Sequence, residues 1–391
     1  MRRALAAALA ALWLAGAGCS PPPVVKPDDG LARQKRAAVE KFNQGIRLLG
    51  SKKGTSYYEA VTAFEAAAAA DPELFEAHYN LGVLYDRGND YAKARAAFVR
   101  ALDLKPGDRA ALFDLASAAR RAGRLGEAVD MLEELIEARP DDFAARNSLA
   151  VLYRLQGDHD KAIEQARFVL DRDPRDVLAY NNLATSFSET DRHEMAEDLF
   201  RRALALSPDQ AEVLNNLGLA RLRSGRVQEA LEMFQKAAAR EPPLPEAFLN
   251  AAAVYMQSAD YARAAGVYQR LTQRVPGFLP GLVGLAVAQR GLGRIEEAER
   301  SYQKVLGLDG QNPESMFNLG LLYMNHRGKP DWACEAFRRL LASGRAEEAL
   351  ARRTRELMED LRLQNPAACP AEAPAKAPGP LGAGSKPGAK P

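Results

Sequence analysis

The chain has 391 residues, room for several domains or one long repeat array. Lys and Arg number 53 against 51 Asp and Glu, and removal of residues 1–18, which carry Arg2 and Arg3, leaves 51 charges of each sign. That balance excludes a global electrostatic pull towards nucleic acid or anionic lipid. Aromatic residues make up only 7%, and strand-like alternation is scarce. The composition reads as helical.

The first segment is MRRALAAALAALWLAGAGCS. Arg2 and Arg3 form a positive start. Residues 4–15 are apolar but too short to span a bilayer as a helix. Gly16, Ala17 and Gly18 lead to Cys19. The segment resembles a bacterial lipoprotein signal, which implies cleavage after residue 18 and a lipid on Cys19. It departs from that pattern at Gly16, where Leu is preferred. The alternative is ordinary signal-peptidase cleavage, leaving a soluble periplasmic protein. Ser20 is not the Asp that favours inner-membrane retention. The resemblance therefore implies an outer-membrane lipoprotein of the bacterial cell envelope, facing the periplasm. Pro21, Pro22, Pro23 and Pro27 suit a flexible tether over residues 19–37.

The next 300 residues or so are periodic. Small residues stand at Gly82, Ala116, Ala150, Ala184, Gly218, Ala252, Ala286 and Gly320, every interval being 34. A second series runs Ala94, Ala128, Ala162, Ala196, Ala230, Ala264 and Ala298, and a third runs Pro106, Pro140, Pro174, Pro208, Pro242 and Pro276. An aromatic residue accompanies them at Phe98, Phe200, Phe234, Tyr268 and Tyr302. These registers resemble the tetratricopeptide repeat (TPR), a helix–turn–helix unit of about 34 residues. Counted from Phe75, the small residues fall at positions 8 and 20, the aromatic at 24 and Pro at 32. The resemblance implies an all-α, right-handed helical solenoid of about nine repeats over residues 38–347, with a C-terminal cap helix. It also explains Gly218 inside a helix: small residues at positions 8 and 20 let helix A approach helix B. Gly123, Gly157, Gly225 and Gly293 mark the turns between them, where a positive φ is needed. Pro at position 32 stops helix B.

The ends depart from the period. Repeat one has extra residues around SKKGTS, repeat eight has Gly310 in place of Pro, and repeat nine carries one extra residue, placing Ala333 and Phe337 one step late. Atypical ends are expected of an array whose last units face water. Residues 345–364 read as a solvating cap helix. Residues 365–391 hold seven prolines and no apolar period; they read as a disordered tail, made slightly positive by Lys376, Lys386 and Lys390. Cys334 and Cys369 either pair across repeat nine or remain two separate thiols.

In TPR proteins the A helices line the concave face, where peptides or partner helices bind. Here that face is rich in asparagine: Asn80, Asn182, Asn216, Asn250 and Asn318 at position 6, Asn147, Asn181 and Asn215 at position 5. Each offers an acceptor and two donors. The row resembles the asparagine ladder of the TPR domain in O-linked N-acetylglucosamine transferase, which implies capture of an extended backbone. The alternative is that these side chains bond neighbouring backbone and stabilise the array. Arg87, Arg120, Arg121 and Arg154 at positions 12 and 13 suit acidic groups on a partner, or else a solvated helix end. Position 9 lacks the Asn of the carboxylate clamp found in chaperone-binding TPR proteins, so that partner class is not expected.

No catalytic constellation is visible. His78, His159, His193 and His326 are scattered, no Cys pair has metal spacing, and no phosphate-binding loop follows a strand. The reading is a non-enzymatic scaffold without cofactor or metal, without nucleic-acid or small-molecule substrate. Its partners are envelope proteins, and its membrane contact is the lipid anchor. The chain resembles the TPR lipoproteins of gliding motility in myxobacteria, which implies membership of a trans-envelope machine. The alternatives are a pilotin-like assembly factor for type IV pili or secretins, and a TPR subunit of a cell-wall or polysaccharide synthesis complex.

Overall fold

The computed structural model describes residues 29–50 and 56–370. Cys19, the signal-like segment, the SKKGT stretch and the lysines of the tail lie outside the described residues. Everything regular is helical, and among the described residues there is no strand. Helices of the A type are α1 (Asp29–Leu49), α3 (Phe75–Arg87), α5 (Arg109–Arg121), α7 (Phe143–Gln156), α9 (Val177–Glu189), α11 (Ala211–Arg223), α13 (Pro245–Gln257), α15 (Leu279–Gly291) and α17 (Pro313–Leu322). Each is followed by its B partner: α2 (Ser56–Ala70), α4 (Tyr91–Leu104), α6 (Leu125–Ala138), α8 (His159–Arg172), α10 (His193–Leu206), α12 (Val227–Ala238), α14 (Tyr261–Arg274), α16 (Ile295–Leu308) and α18 (Pro330–Ala342). A last helix, α19 (Glu348–Gln364), follows. The helices form two compact units, Met1–Ala145 and Arg146–Pro391. Each is a stack of helical hairpins, the all-α arrangement expected from the repeats. Among the described residues no helix is long and apolar enough to cross a membrane.

The packing follows from the three sequence registers. In the first unit Phe64 and Phe98 are fully buried. In the second the same place is taken by Phe200, Phe234, Tyr302 and Phe337, all fully buried. The glycine of helix A lies under the ring: a Cβ on Gly218 would stand 2.6 Å from the Phe234 ring, and one on Gly82 would stand 2.6 Å from Phe98. Glycine in a helix costs about 1 kcal/mol against alanine; here the ring occupies the space a methyl group would need. Gly45 on α1 meets Phe64 in the same way, so repeat one keeps the packing rule although its spacing is broken.

The A–B turns need one residue with positive φ. Gly123 (φ 74°) and Gly225 (φ 75°) supply it, and Asn89 (59°), Asp191 (59°) and Ala259 (55°) take the same role elsewhere in the series. Asn and Asp tolerate this region; alanine pays a steric cost. The following B helix is often capped by the next residue: Asp90 accepts from the Lys93 N–H at 3.2 Å, Asp158 from Lys161 at 3.3 Å, and Asp260 from Arg263 at 3.0 Å. Such caps satisfy donors that the helix leaves unpaired.

The two ends differ from the sequence expectation. Helix α1 begins at Asp29, so residues 29–37, expected in the tether, are helical. Its first turns are mostly exposed and it is anchored from Ala38 onward, which is fully buried. At the other end α17 runs into a π turn, Tyr323–Arg327, closed by Gly328 at φ 59°. The extra residue of repeat nine is absorbed there, between the in-register Gly320 and the shifted Ala333. Helix α19 buries Ala351, Thr354, Leu357, Met358 and Leu361 against the last repeat. Cys334 on α18 is joined by a disulfide to Cys369, with Cα atoms 5.5 Å apart. Arg338 also donates to the Pro370 carbonyl at 2.6 Å, and the Cys369 N–H donates to the Asn365 carbonyl at 3.2 Å. Residues 365–370, expected in the disordered tail, are therefore an ordered turn docked on α18.

Candidate partner-binding face

Alternate helices touch: α3 with α5 in the first unit, and α9 with α11, α11 with α13, and α15 with α17 in the second. The A helices thus present one face within each unit. The candidate site is that face.

In the first unit it is polar. The Tyr79 hydroxyl donates to Asp114 at 2.6 Å, thirty-five residues further on. Burial raises the pKa of both groups. Arg121 pairs with Asp86 on the preceding A helix and donates to Ser117 at 3.1 Å. Arg87 and Arg120 are exposed, and neither has a hydrogen-bond or ion-pair partner among the described residues. The Asn80 amide donates to the Glu76 carbonyl of its own helix at 2.7 Å.

In the second unit the asparagines come together, but with one another. Asn182 donates to the Asn147 carbonyl at 3.1 Å and to its side-chain oxygen at 3.2 Å. Asn147 donates to Asp176 at 3.3 Å. Asn216 donates to Asn181 at 3.1 Å, and Asn250 donates to Asn215 at 2.8 Å. Asn147, Asn182 and Asn215 are only 6–7% exposed. A buried amide must be hydrogen-bonded, and these bonds run from each repeat to the next. The row expected to hold a partner's backbone therefore holds the array together. Asn318 donates to the Glu314 carbonyl at 2.8 Å and accepts from Arg290 at 3.2 Å. Arg154 is likewise engaged, donating to Glu189 at 2.8 Å.

What the face exposes instead is apolar. Leu178, one turn before Asn181 and Asn182, is 57% exposed, and Leu155 beside Arg154 is 49% exposed. Further along, Leu249, Met256, Val287, Phe317, Leu321 and Met324 are half-buried on α13, α15, α17 and the π turn. Sequence reading missed this row because apolar residues on a helix read as core. The signal available was that they recur at positions 2, 5, 9, 12 and 13 of helix A, off the positions 8 and 20 where the helices close on each other.

The histidines stay apart, on α3, α8, α10 and the π turn. Among the described residues no group of three or more His, Cys, Asp or Glu is placed to hold a metal ion. A buried charge cluster centres on Glu197, which accepts from Arg221 at 3.0 Å and Arg226 at 2.8 Å. Burial works to raise its pKa, but the two guanidinium groups outweigh it and hold the carboxyl below its ordinary value. This cluster ties α10 to the next repeat and has no reacting group beside it.

Comparison with known proteins agrees with this architecture. The family model described as tetratricopeptide repeat protein 21 N-terminal ARM repeat matches residues 84–299, more than half of the chain. A second, described as tetratricopeptide repeat, matches residues 55–109 and 283–352. No curated protein matches the chain. Among solved structures, a tetratricopeptide repeat protein from Parabacteroides merdae is 15% identical, with 65% of this chain and 99% of that one covered and a TM-score of 0.56. YrrB, described as a TPR protein with an unusual peptide-binding site, is 19% identical, with 49% and 98% covered and a TM-score of 0.36. A thermophilic TPR protein from Thermus thermophilus is 23% identical, with 46% and 99% covered and a TM-score of 0.41. At 15% identity the likeness to the Parabacteroides protein is one of fold. The chain belongs to the tetratricopeptide repeat family.

Proposed function

We propose that this chain is a protein-interaction scaffold of the bacterial envelope, held to the outer membrane by a lipid on Cys19 and facing the periplasm. The observation that carries the interaction role is the exposed apolar row of the A-helix face, led by Leu178 and Leu155. Solvent-facing leucines beside asparagines that bond one another are unexplained by the fold and suit an apolar partner segment. In the first unit Arg87 and Arg120 add cations for acidic groups on a partner. The anchor reading rests on the signal-like residues 1–18 and the prolines after Cys19. The finer reading, a component of a trans-envelope gliding machine, rests on the resemblance to myxobacterial TPR lipoproteins.

The test is photocrosslinking in cells with a benzophenone amino acid at position 178, compared with position 363, where Leu363 is 75% exposed on α19. Envelope proteins captured from position 178 and not from 363 are the expected result. Equal capture from both would remove the A-helix face as the site. Fractionation of Cys19→Ala tests the anchor: the variant should leave the membrane fraction, and unchanged membrane retention would refute lipidation at Cys19.

A further inference from the structure

Position 28 of the repeat, on the B helices, is occupied by Leu102, Ile136, Leu170, Leu204 and Leu306, with Thr272 in one repeat. Each is half-buried. At the same 34-residue step after Leu204 stands Ala238. Alanine in a place shaped for leucine leaves space unless the neighbours collapse into it. They do not: a cavity of about 210 Å³ opens beside Ala238. Its floor is Phe234, Phe248, Ala251 and Val267, all buried core residues of the second unit. Arg274 seals one side, donating to the Arg240 carbonyl at 2.9 Å and to Ala238 and Glu241.

The rim has different chemistry. Gln235, Arg270 and Gln273 line it and are exposed. None of their side chains has a hydrogen-bond or ion-pair partner among the described residues. An apolar cavity of roughly 150 Å³ accepts benzene, so this one has room for a phenyl ring or a branched aliphatic chain. It is smaller than the roughly 300 Å³ at which drug-sized pockets begin. The unpaired guanidinium suits a carboxylate, and the two primary amides can donate to and accept from a peptide group.

The geometry points to a binding site for the C-terminal residue of a partner polypeptide, with its apolar side chain in the cavity, its terminal carboxylate on Arg270 and its last peptide group on Gln235 and Gln273. The rim of the site lies on the B helices α12 and α14, apart from the apolar row of the A-helix face. It rests on the scaffold reading only in taking a polypeptide as ligand, and it is tested on purified protein without reference to any machine.

The experiment is a fluorescence-anisotropy titration of the full chain with the labelled peptide Gly-Ser-Gly-Ser-Phe, as the free acid and as the C-terminal amide. The free acid should bind tighter by roughly tenfold or more, the scale of one charge-assisted hydrogen bond. Ala238→Leu should abolish binding while the thermal midpoint holds or rises, because it restores the leucine found at this position in four other repeats. Arg270→Gln should erase the difference between acid and amide. Equal binding of acid and amide, or undiminished binding to a folded Ala238→Leu variant, overturns the proposal. Displacement of the peptide by phenylacetate at equal concentration overturns the choice of a polypeptide. Failure here leaves the crosslinking result at position 178 untouched.

Discussion

Two stretches of the second unit use the same helix face in opposite ways. From α7 to α13 the face carries a ladder of amides, with Leu155 and Leu178 exposed beside it, each repeat donating to the one before it through Asn182, Asn216 and Asn250. From α13 to the π turn the face is a row of half-buried Met, Leu, Val and Phe side chains. The same 34-residue period supports both, because the small and aromatic positions between helices carry the fold and leave the outer face to vary. In the ladder, directional bonds set the spacing of the repeats. In the apolar row, spacing is set by side-chain packing, and half the surface remains available to a partner.

The largest effect should come from the apolar stretch. Phe337 is fully buried, its ring lies over Gly320, and its centroid is 6.0 Å from that of Phe317. Phe337→Ala should cost about 3–5 kcal/mol. Hydrogen exchange should then quicken over α17, α18 and α19 and stay near wild type over α9, since repeats contact chiefly their neighbours. Uniform acceleration would mean that the two stretches unfold as one. Next, Asn182→Ala removes the donor to the buried Asn147 side-chain oxygen, and should destabilise by about 1–3 kcal/mol in thermal or denaturant unfolding. No loss of stability, together with loss of a partner, would return the asparagines to a binding role.

A smaller change has the opposite sign. Ala259 holds φ 55° in a turn where Gly or Asn would be at ease. Ala259→Gly relieves about 1–2 kcal/mol of left-handed strain against about 0.5–1 kcal/mol of added freedom in the unfolded chain. The net expectation is a small rise in thermal midpoint, and a fall would show that the turn is not strained. Smallest is the acid limb. The carboxyl of Glu197 is held below its unfolded value by Arg226 and Arg221, so its contribution is complete above the ordinary carboxylate range and is lost as pH falls through the folded value. Thermal midpoints of Glu197→Gln and wild type should therefore converge between about pH 6 and pH 3. Parallel curves would place the acid sensitivity elsewhere.

The fold was largely legible because its rule is local to one repeat: a small residue at Gly218 and an aromatic at Phe234 lie sixteen residues apart in the chain and against each other in space. The fate of the asparagines was not legible, because their partners are thirty-five residues away. No single-repeat pattern distinguishes an amide that bonds the next helix from one that faces solvent. The turn residues Asn89, Asp191 and Ala259 escaped a search for glycine, although they sit in its series. The ordered turn at 365–370 escaped because its prolines read as breakers, while a disulfide and Arg338 hold it in place.

The π turn at Tyr323–Arg327 shows how such an array tolerates a change in length. An inserted residue in an α-helix would ordinarily rotate everything beyond it by about 100°, turning the buried stripe towards water. Here one widened turn takes up the surplus, and Phe337 still arrives over Gly320. The insertion of repeat nine is thus confined to the turn that receives it. The array keeps its phase by counting contacts and not residues, and a chain built this way can vary in length at one end without renegotiating its core.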